Sequence, residues 1–464
     1  MNDLLPRNWI EFPIGDIALI TDFVANGSFA SLRENVQYIN SPDFAILIRL
    51  KDFNLGWKGH FIYVNQQAYE FLSKSALRPG DLVIANVGDP GRLFLVPDLG
   101  QAMTLGPNGI LIRADQSITS NIFLASFFSS LAGQKSIKKI VTGSAQQKFN
   151  KTEFRKILVP IPPLLEQQRI QQKLDNILPK VQACQERLDK IQAILKRFRQ
   201  AVLAAACSGR LTEDWREKNL DVSNENIEII NNEDNPVGWK VVCIGDVIES
   251  LKYGTAHKCS YEKKGVPVLR IPNVVNGFID QTDLKYAELS TKEFNQLRLI
   301  PGDILIIRSN GSVSLVGKSA IIREQESDFA YAGYLIRIRP NKTKIEPEFL
   351  NLSLRSYYIR LQIELEARST SGVNNINGDE VRALRLNLPP LKEQQEIIRQ
   401  AEKYLTLADK IEARCERTQT YLKKLTQSIL SKAFRGELVP QDPNDEPASV
   451  LLKKLQKAKK NKKD

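Results

Sequence analysis

The 464-residue sequence predicts an α+β (mixed α/β) protein in which two similar globular domains are joined by two long helices forming an antiparallel coiled coil. Three observations lead to this prediction. The second half of the chain repeats the first, each half contains one heptad seam of apolar residues, and short strand-like runs occupy most of the remainder. The fold should therefore contain an internal pseudo-twofold repeat.

The internal repeat is marked by matched segments in the same order. Each copy starts with a tryptophan followed by Ile-Gly-Asp, continues with Pro-Gly-Asp before an apolar strand, and reaches Pro-Pro-Leu-x-Glu-Gln-Gln before a long helix. The matched pairs are residues 6–17 and 236–247, 78–82 and 300–304, 161–168 and 388–395, and 195–211 and 422–438. Two copies of a large unit predict two similar surfaces, and so a bipartite target or two identical partners.

The repeat and the local composition divide the chain into six parts. Strand-like runs such as 82–85 and 109–112 in the first half, and 304–307 and 334–338 in the second, indicate mixed α/β domains. We predict a first globular domain at 1–160, a first spacer helix at 161–208, a linker at 209–235, a second globular domain at 236–388, a second spacer helix at 389–435, and a C-terminal tail with a Lys-rich end at 436–464.

Each spacer helix carries apolar residues at alternating spacings of four and three, which is typical of a coiled coil. A helix of about 43 residues would be about 64 Å long. Both should begin after a Pro-Pro pair and end near a glycine, and Pro179 should kink or loosen one turn of the first. The two seams would close on each other, although each helix could instead pack on its own domain. The main seam residues are Leu174, Val181, Leu188, Leu195 and Val202, then Ala401, Ala408, Leu422, Leu425 and Ile429, with Cys184, Ile411 and Thr418 at further positions.

The charge balance points to an anionic partner, and nucleic acid is the commonest one. The formal net charge is +12, part of which comes from a run of lysines after residue 452. The five cysteines form no CxxC pair, so a reducing cytoplasm is expected. No secretion signal and no apolar run long enough to cross a membrane is seen.

Several kinds of catalytic site are disfavoured by the sequence. His60 and His257 are the only histidines and lack metal-ligand or nucleophile neighbours, so no metal site is expected. Residues 311–319 resemble a phosphate-binding loop, but five residues separate the glycines where four are required. A strand is also predicted at 320–322, where a helix should begin.

Polar loops at matching places in the two domains are the candidate DNA-binding segments. Arg, Lys, Asn, Gln, Ser and Thr are the side chains that hydrogen-bond phosphates and base edges. Any single loop of this kind is more often a simple turn, but paired loops on a basic repeat favour DNA binding. The candidate residues are Ser28, Ser31, Arg33, Lys138, Lys139, Gln146 and Lys148 in the first domain, and Thr255, His257, Lys258, Arg308, Asn310, Ser312, Arg368, Thr370 and Asn374 in the second.

Nearly the whole chain resembles a specificity (S) subunit of a type I restriction–modification system. The resemblance rests on the paired Trp…Ile-Gly-Asp starts, the two Pro-Gly-Asp strands, the two Pro-Pro-Leu-x-Glu-Gln-Gln helix starts, and the segments that follow Gly209 and Gly436. It implies that residues 1–160 and 236–388 are target-recognition domains, each reading half of a split double-stranded DNA site. It also implies that the helices act as spacer and docking surface.

The same resemblance implies a division of labour among subunits. Two methyltransferase (M) subunits, and two restriction (R) subunits where present, would carry S-adenosylmethionine, ATP and Mg, so this chain would bind no cofactor and would not be an enzyme. The first domain has Asn86-Val87-Gly88-Asp89 where the second has Arg308-Ser309-Asn310-Gly311. A charged contact at that loop is therefore not expected in the first half.

Two other functions remain open at this point. One is a structural coiled-coil protein whose two lobes bind protein instead of DNA. The other is a self-sufficient methyltransferase, but the chain lacks the Asn-Pro-Pro-aromatic motif that such an enzyme would carry.

Overall fold

The computed structural model describes residues 5–219, 235–275, 277–366, 374–451 and 453. They fold as two compact units, one formed by Met1–Arg187 with Arg417–Asp464 and the other by Leu188–Glu416. Each unit contains one globular domain together with part of both long helices. Within these described ranges, no helix combines the length and apolar character needed to cross a membrane.

The first unit is built around an antiparallel sheet in the order β2-β9-β6-β7, next to a mixed sheet in the order β4-β3-β8-β5 in which β3 and β8 are parallel. Its strands are β1 (Ile10–Pro13), β2 (Ala18–Asp22), β3 (Ala45–Ile48), β4 (Ile62–Val64), β5 (Ala76–Leu77), β6 (Leu82–Ala85), β7 (Leu93–Leu95), β8 (Ala102–Leu105), β9 (Gly109–Ala114) and β10 (Leu158–Ile161). Its helices are α1 (Ile14–Ile17), α2 (Phe29–Asn35), α3 (Leu50–Asn54), α4 (Gln66–Phe71), α5 (Asn121–Ser129), α6 (Leu131–Ile140), α7 (Lys151–Arg155) and the start of the long helix α8 (Leu164–Cys207).

The second unit repeats this arrangement, with an antiparallel sheet in the order β12-β21-β17-β19 beside a mixed sheet in the order β16-β13-β20. Its strands are β11 (Lys240–Cys243), β12 (Ile248–Tyr253), β13 (Val266–Leu269), β14 (Val274–Val275), β15 (Phe278–Ile279), β16 (Lys285–Ala287), β17 (Ile304–Ile307), β18 (Ser309–Asn310), β19 (Ser319–Ile321), β20 (Ala330–Tyr331), β21 (Leu335–Pro340), β22 (Asn374–Asn375) and β23 (Arg385–Leu388). Its helices are α9 (Glu213–Asn219), α10 (Thr291–Leu297), α11 (Pro347–Leu354), α12 (Tyr357–Glu366), α13 (Gly378–Ala383) and most of the long helix α14 (Leu391–Phe434).

The central strands are continuously apolar because each of their faces packs on a separate core. In β6, Leu82 and Ile84 join the core that contains Trp9, whereas Val83 joins the core of the mixed sheet. Strand β17 divides its alternate residues between two cores in the same way. The predicted strand after Lys318 is confirmed as β19, so the glycine-containing segment before it is not followed by the helix that a phosphate-binding loop requires.

Each domain begins and ends at one short antiparallel ladder. Strand β1 pairs with β10 in the first unit, and β11 pairs with β23 in the second. A long helix starts three residues after the second strand of each ladder. The repeated motifs around Trp9, Trp239 and the two Pro-Pro pairs therefore lie at the base of each domain.

A buried tryptophan–glutamate hydrogen bond fastens each ladder to its helix. The indole Nε1 of Trp9 donates to Glu166 Oε2 at 3.0 Å, and that of Trp239 donates to Glu393 Oε2 at 2.9 Å. The glutamine after each glutamate satisfies the carbonyl before the helix. Gln167 Nε2 donates to Pro162 O at 3.0 Å, and the equivalent Gln394 Nε2 donates to Pro389 O at 2.8 Å. The Glu-Gln motif is thus explained by burial of polar groups, which need partners.

The Pro-Gly-Asp motif supplies a second repeated contact, between neighbouring strands of the main sheet. Arg113 Nε donates to Asp81 Oδ1 at 2.8 Å, and Arg339 Nε donates to Asp303 Oδ1 at 2.7 Å. Both aspartates are buried, so the arginine partner compensates for their lost hydration. The glycine before each aspartate has a positive φ, which turns the chain into the strand.

The two long helices pair in opposite directions in each unit. In the first unit, Ile170 and Leu174 share a core with Leu430 and Phe434. In the second unit, Val202 near the end of α8 packs with Ala401 near the start of α14, and Arg199 Nη2 donates to Asp409 Oδ1 and Glu412 Oε2, both at 2.7 Å. Early residues of one helix meet late residues of the other, so the predicted antiparallel pair between two similar domains is confirmed.

The ten main seam residues are all buried or half-buried, but three further predicted seam residues are exposed. These are Cys184, Ile411 and Thr418. Glu412, beside Ile411, pairs through its carboxylate with Arg199 of the other helix. The helices end as predicted near glycines with positive φ, Gly209 and Gly436. Helix α8 continues through Pro179.

The two equivalent glutamates should respond differently to the same substitution. Glu393 accepts from Trp239, from Thr212 Oγ1 at 2.8 Å and from Arg216 Nε at 3.0 Å. Glu393→Gln removes a charged acceptor from Arg216, so the free energy of local unfolding should fall by about 1.5–3 kcal/mol. Hydrogen exchange of amides at residues 209–219 and 239–243 measures this change.

Glu166→Gln is the matched variant. Glu166 Oε1 is buried and has no hydrogen-bond partner among the described residues, and burial raises the pKa of this carboxyl. The folded state therefore binds the proton more tightly, and stability should fall as the pH rises from the unfolded-state pKa to the folded-state pKa. Glu166→Gln should remove this slope and cost at most about 1 kcal/mol. An equal decrease in the free energy of unfolding for Glu166→Gln and Glu393→Gln would contradict the conclusion that Glu393 has more hydrogen-bond donors than Glu166.

Candidate nucleic-acid interface

In the first domain, two polar segments that are distant in sequence lie side by side beyond the end of β6. Val87 forms a β-bridge with Lys148, and Phe149 N donates to Asn86 O at 3.0 Å. Thr142 and Lys148 exchange backbone hydrogen bonds at 2.8 and 2.9 Å, which closes the loop between them. We call residues 86–88 with 142–148 the first ribbon. Of the predicted contact residues, Gln146 and Lys148 lie on it with exposed side chains.

The second domain has the equivalent ribbon beyond the end of β17. Strand β18 pairs with β22, and Ile376 N donates to Arg308 O at 2.8 Å, as Phe149 N does to Asn86 O in the first domain. We call residues 308–312 with 374–375 the second ribbon. The structure therefore brings together four of the predicted contact residues of the second domain, namely Arg308, Asn310, Ser312 and Asn374.

Arg308 is held from several sides within the second ribbon. Its guanidinium carbon lies 4.7 Å from the ring centroid of Tyr253, a cation–π contact. Its Nε donates to Asn375 Oδ1 at 3.3 Å, and its backbone N donates to Tyr334 O at 3.0 Å. The Tyr253 hydroxyl in turn accepts from Gly378 N at 2.7 Å, which fixes the ring against helix α13.

The same place in the first domain has different chemistry. Asp22 is the last residue of β2, as Tyr253 is of β12. Lys151 Nζ donates to Asp22 Oδ1 at 2.8 Å, whereas in the second domain Gly378 N donates to the Tyr253 hydroxyl. Asn86 replaces Arg308, and its side-chain amide donates to Phe149 O at 3.3 Å. Asn86 therefore directs its amide into the domain, and the absence of a charged contact at residues 86–89 stays a prediction.

Several predicted contact residues lie away from the ribbons. The segment with Ser28, Ser31 and Arg33 was predicted as a loop, but it forms helix α2, because Ser28 caps the helix by accepting from Ser31 N at 3.2 Å. Lys138 and Lys139 are exposed in the last turn of α6. Arg368 and Thr370 lie outside the described residues.

Two predicted contact residues are buried, which corrects their assignment as exposed polar side chains. Thr255 accepts from His257 N at 3.1 Å through its hydroxyl and bridges to Ala332 through its backbone. Asn374 donates from its amide to Gly311 O at 3.2 Å and so closes the tip of the second ribbon. Both side chains form hydrogen bonds inside the domain, so they support the conformation of the neighbouring loops and are not available to contact DNA.

His257 is exposed and pairs with an acidic residue, and Lys258 beside it is exposed too. His257 Nε2 lies 2.9 Å from Glu293 Oε1. Hydrogen bonds from Ser290, together with His257, lower the pKa of Glu293 to about 2. Across the described part of the chain, no group of His, Cys, Asp and Glu side chains is arranged to hold a metal ion.

The structure adds residues that the sequence prediction missed. Tyr253 and Asn375 support Arg308, and both lie at the ends of predicted polar loops, 253–258 and 368–375, but were not among the candidate contact residues. Tyr261 is exposed, and Lys285 Nζ lies 4.6 Å from its ring centroid. An aromatic side chain at the first position of a polar loop, where a strand ends, is the signal that could have identified Tyr253.

Two domains of one fold, each presenting a polar ribbon and both attached to an antiparallel helix pair, define a two-domain recognition protein built on a helical spacer. The family model described as the type I restriction modification DNA specificity domain matches residues 6–193 and 236–417. The chain belongs to this family.

Individual relatives agree with this membership. The chain is 31% identical to the specificity subunit of the type I restriction enzyme EcoKI from Escherichia coli strain K12, over 97% of this chain and 95% of the relative. It is 33% identical to the StySPI specificity subunit from Salmonella potsdam, over 74% and 73%. The expectation of a specificity subunit instead of an enzyme is thereby confirmed, and the structural coiled-coil alternative is not supported.

Solved structures show the same fold. A chain from a type I R-M system has a TM-score of 0.63 at 20% identity, covering 94% of this chain and all of that chain. The HsdS subunit from Thermoanaerobacter tengcongensis has a TM-score of 0.50 at 21% identity, covering 94% and 98%.

Lys148 provides a test of the first ribbon. Because its ammonium group is exposed and is a point charge, a contact to phosphate should be insensitive to sequence. Lys148→Ala should weaken binding to all duplexes by a similar factor and reduce the slope of log affinity against log salt by about one. Fluorescence anisotropy titrations at several salt concentrations measure both effects.

The matched control is Lys240→Ala, which removes an equally exposed lysine from strand β11 at the base of the second domain. It should leave the salt slope unchanged. An identical slope for Lys148→Ala and the unsubstituted chain would show that Lys148 does not contact phosphate.

Proposed function

We propose that this chain selects a bipartite double-stranded DNA sequence, with each domain reading one half through its ribbon. The observation that carries this proposal is the recurrence of one ribbon on two copies of one fold, with different side chains at matching positions. The shared backbone arrangement of the two ribbons would let both domains bind a duplex in the same way. The different side chains on the two ribbons would make the two half-sites differ in sequence.

Affinity and selectivity would come from different groups. Lysines and arginines on a chain of net charge +12 would release counterions from the DNA, which supplies affinity without reading sequence. Side chains of the ribbons would discriminate bases in the major groove, where each base pair presents a distinct pattern of donors and acceptors. Half-sites about 34 Å apart along the duplex present the same face to two domains of one protein.

Partner subunits would supply the chemistry. Since the chain carries two similar units, two methyltransferase subunits would dock in equivalent ways, and two restriction subunits would join them where the system contains them. S-adenosylmethionine, ATP and Mg would bind to those partners, and this chain would bind no cofactor. The cytoplasm, where host DNA is methylated in bacteria, is the compartment that fits its unpaired cysteines.

Exchange of one domain tests the division of the target. Replacing residues 9–160 by the corresponding domain of another specificity subunit should change one half of the methylated sequence and leave the other half unchanged. Methylation mapping of a genome in cells that also express the partner subunits gives both halves directly. Replacing residues 239–388 instead is the reciprocal control, and a change in both halves in either chimaera would contradict the proposal.

The helix pair should set the distance between the half-sites. Removing residues 184–190 and 413–419 deletes one heptad from each helix at facing positions and shortens the pair by about 10 Å. The number of unread base pairs should fall by about three, since base pairs are stacked about 3.4 Å apart. The same methylation mapping reports the spacing.

Deleting the heptad from only one helix is the control for this experiment, because it makes one helix about 10 Å shorter than the other. The contacts at the two ends of the pair can then no longer form together, so recognition should be lost. An unchanged spacing in the double deletion would show that the helices do not determine the distance.

A further inference from the structure

The second ribbon contains an arginine whose side chain is fixed before any ligand arrives. Two neighbours hold its side chain, since Tyr253 lies against the guanidinium and Asn375 accepts from Nε, and Tyr334 O accepts from the backbone N. An arginine side chain on a free surface samples many rotamers, and a ligand that binds it must overcome the loss of that entropy. This side chain has surrendered much of that freedom in the folded domain.

The way Arg308 is held leaves the far edge of the guanidinium available. Asn375 accepts from Nε, whereas Nη1 and Nη2 form no hydrogen bond with any residue in the described part of the chain. The remaining edge is a planar pair of donors. Such a pair matches the O6 and N7 acceptors of guanine, which is the commonest sequence-specific arginine contact in the major groove.

The surroundings of Arg308 favour a base over a phosphate as the ligand. The side chains next to it on the ribbon are neutral and polar, namely Ser309, Asn310, Ser312 and Asn375. Phosphate contacts need charge but little orientation, whereas a base contact needs a fixed donor direction. The cation–π contact and the Asn375 hydrogen bond supply such a direction.

We propose that Arg308 reads a guanine in the half-site of the second domain, with Tyr253 and Asn375 acting as positioning residues. This inference rests on the proposed function, because it assumes that the second domain binds DNA through its ribbon. The first domain lacks the arrangement: Asn86 takes the place of Arg308 and bonds inward to Phe149 O, and Asp22 is paired with Lys151. The equivalent position of the first half-site is therefore read by other means.

The test uses the full chain assembled with its methyltransferase partners. The probes are duplexes carrying the methylated sequence in which each base pair of the second half-site is replaced in turn. The unsubstituted complex should discriminate one G·C pair through Arg308. Arg308→Ala should reduce that discrimination by about ten- to a hundredfold at this pair alone. Arg308→Lys should also reduce it, because a lysine has a flexible stem and lacks the planar pair of donors that Tyr253 and Asn375 hold in one direction.

Arg385→Ala is the matched control, since it removes an exposed arginine from strand β23 of the same domain. It should leave all base preferences unchanged. Recognition of the first half-site serves as the internal control for folding in every variant. For the positioning residues, Tyr253→Ala and Asn375→Ala should relax the preference at the same pair. Tyr253→Phe should retain more of it than Tyr253→Ala, because the ring is kept although the hydroxyl bond to Gly378 N is lost.

Each other outcome has a distinct meaning. If Arg308→Ala weakens binding to all duplexes equally and lowers the salt slope by about one, Arg308 contacts phosphate and the inference is wrong. It is also wrong if no guanine is required in the second half-site, or if Tyr253→Ala lowers binding without changing any base preference. If the unsubstituted complex methylates no bipartite sequence, the proposed function itself fails, whatever the variants do.

Discussion

Each domain is fastened at its base by a buried hydrogen bond between a tryptophan indole and a glutamate carboxylate. Glu166 and Glu393 each accept this bond from the residue before the first strand, so they fix where that strand meets the long helix, and Glu393 has further donors in Thr212 and Arg216. The ladders β1–β10 and β11–β23 close at the same place. Every other part of a domain is built outward from this base, and the ribbons lie beyond the central strands, where side chains can change without disturbing the helices.

Much of the fold could be predicted because its signals are local or repeated. The heptad seams predicted the long helices, and continuous apolar runs predicted central strands such as β6 and β17, which are buried on both faces. Errors arose where a polar side chain decided the local structure. Ser28 caps a helix in a segment that was predicted as a loop, and the neighbour of the exposed seam candidate Ile411, Glu412, forms an ion pair with Arg199 across the helix pair.

The candidate site was predicted in outline but not in detail. Polar segments around Lys148 and Arg308 were identified from composition, and the structure shows why each one faces a partner from a distant part of the chain. Sequence could not show that Thr255 and Asn374 are buried, since their hydrogen bonds depend on contacts made only after folding. The support that Tyr253 gives to Arg308 likewise joins strands that are far apart in sequence.

The first unit is formed by two stretches of the chain that are far apart in sequence, which has a consequence for its folding during synthesis on the ribosome. Its core contains Leu430, Phe434, Ala448 and Leu451, and Ala448 N donates to Asn8 O at 3.1 Å, so the first domain completes its core only after these late residues have been synthesised. The second unit is one unbroken stretch, Leu188–Glu416. At about 5–20 residues per second, roughly 10–50 s pass between the emergence of the two parts of the first unit. The second domain can therefore fold before the first, although it is synthesised later. Loss of the last thirty or so residues would destabilise the first domain.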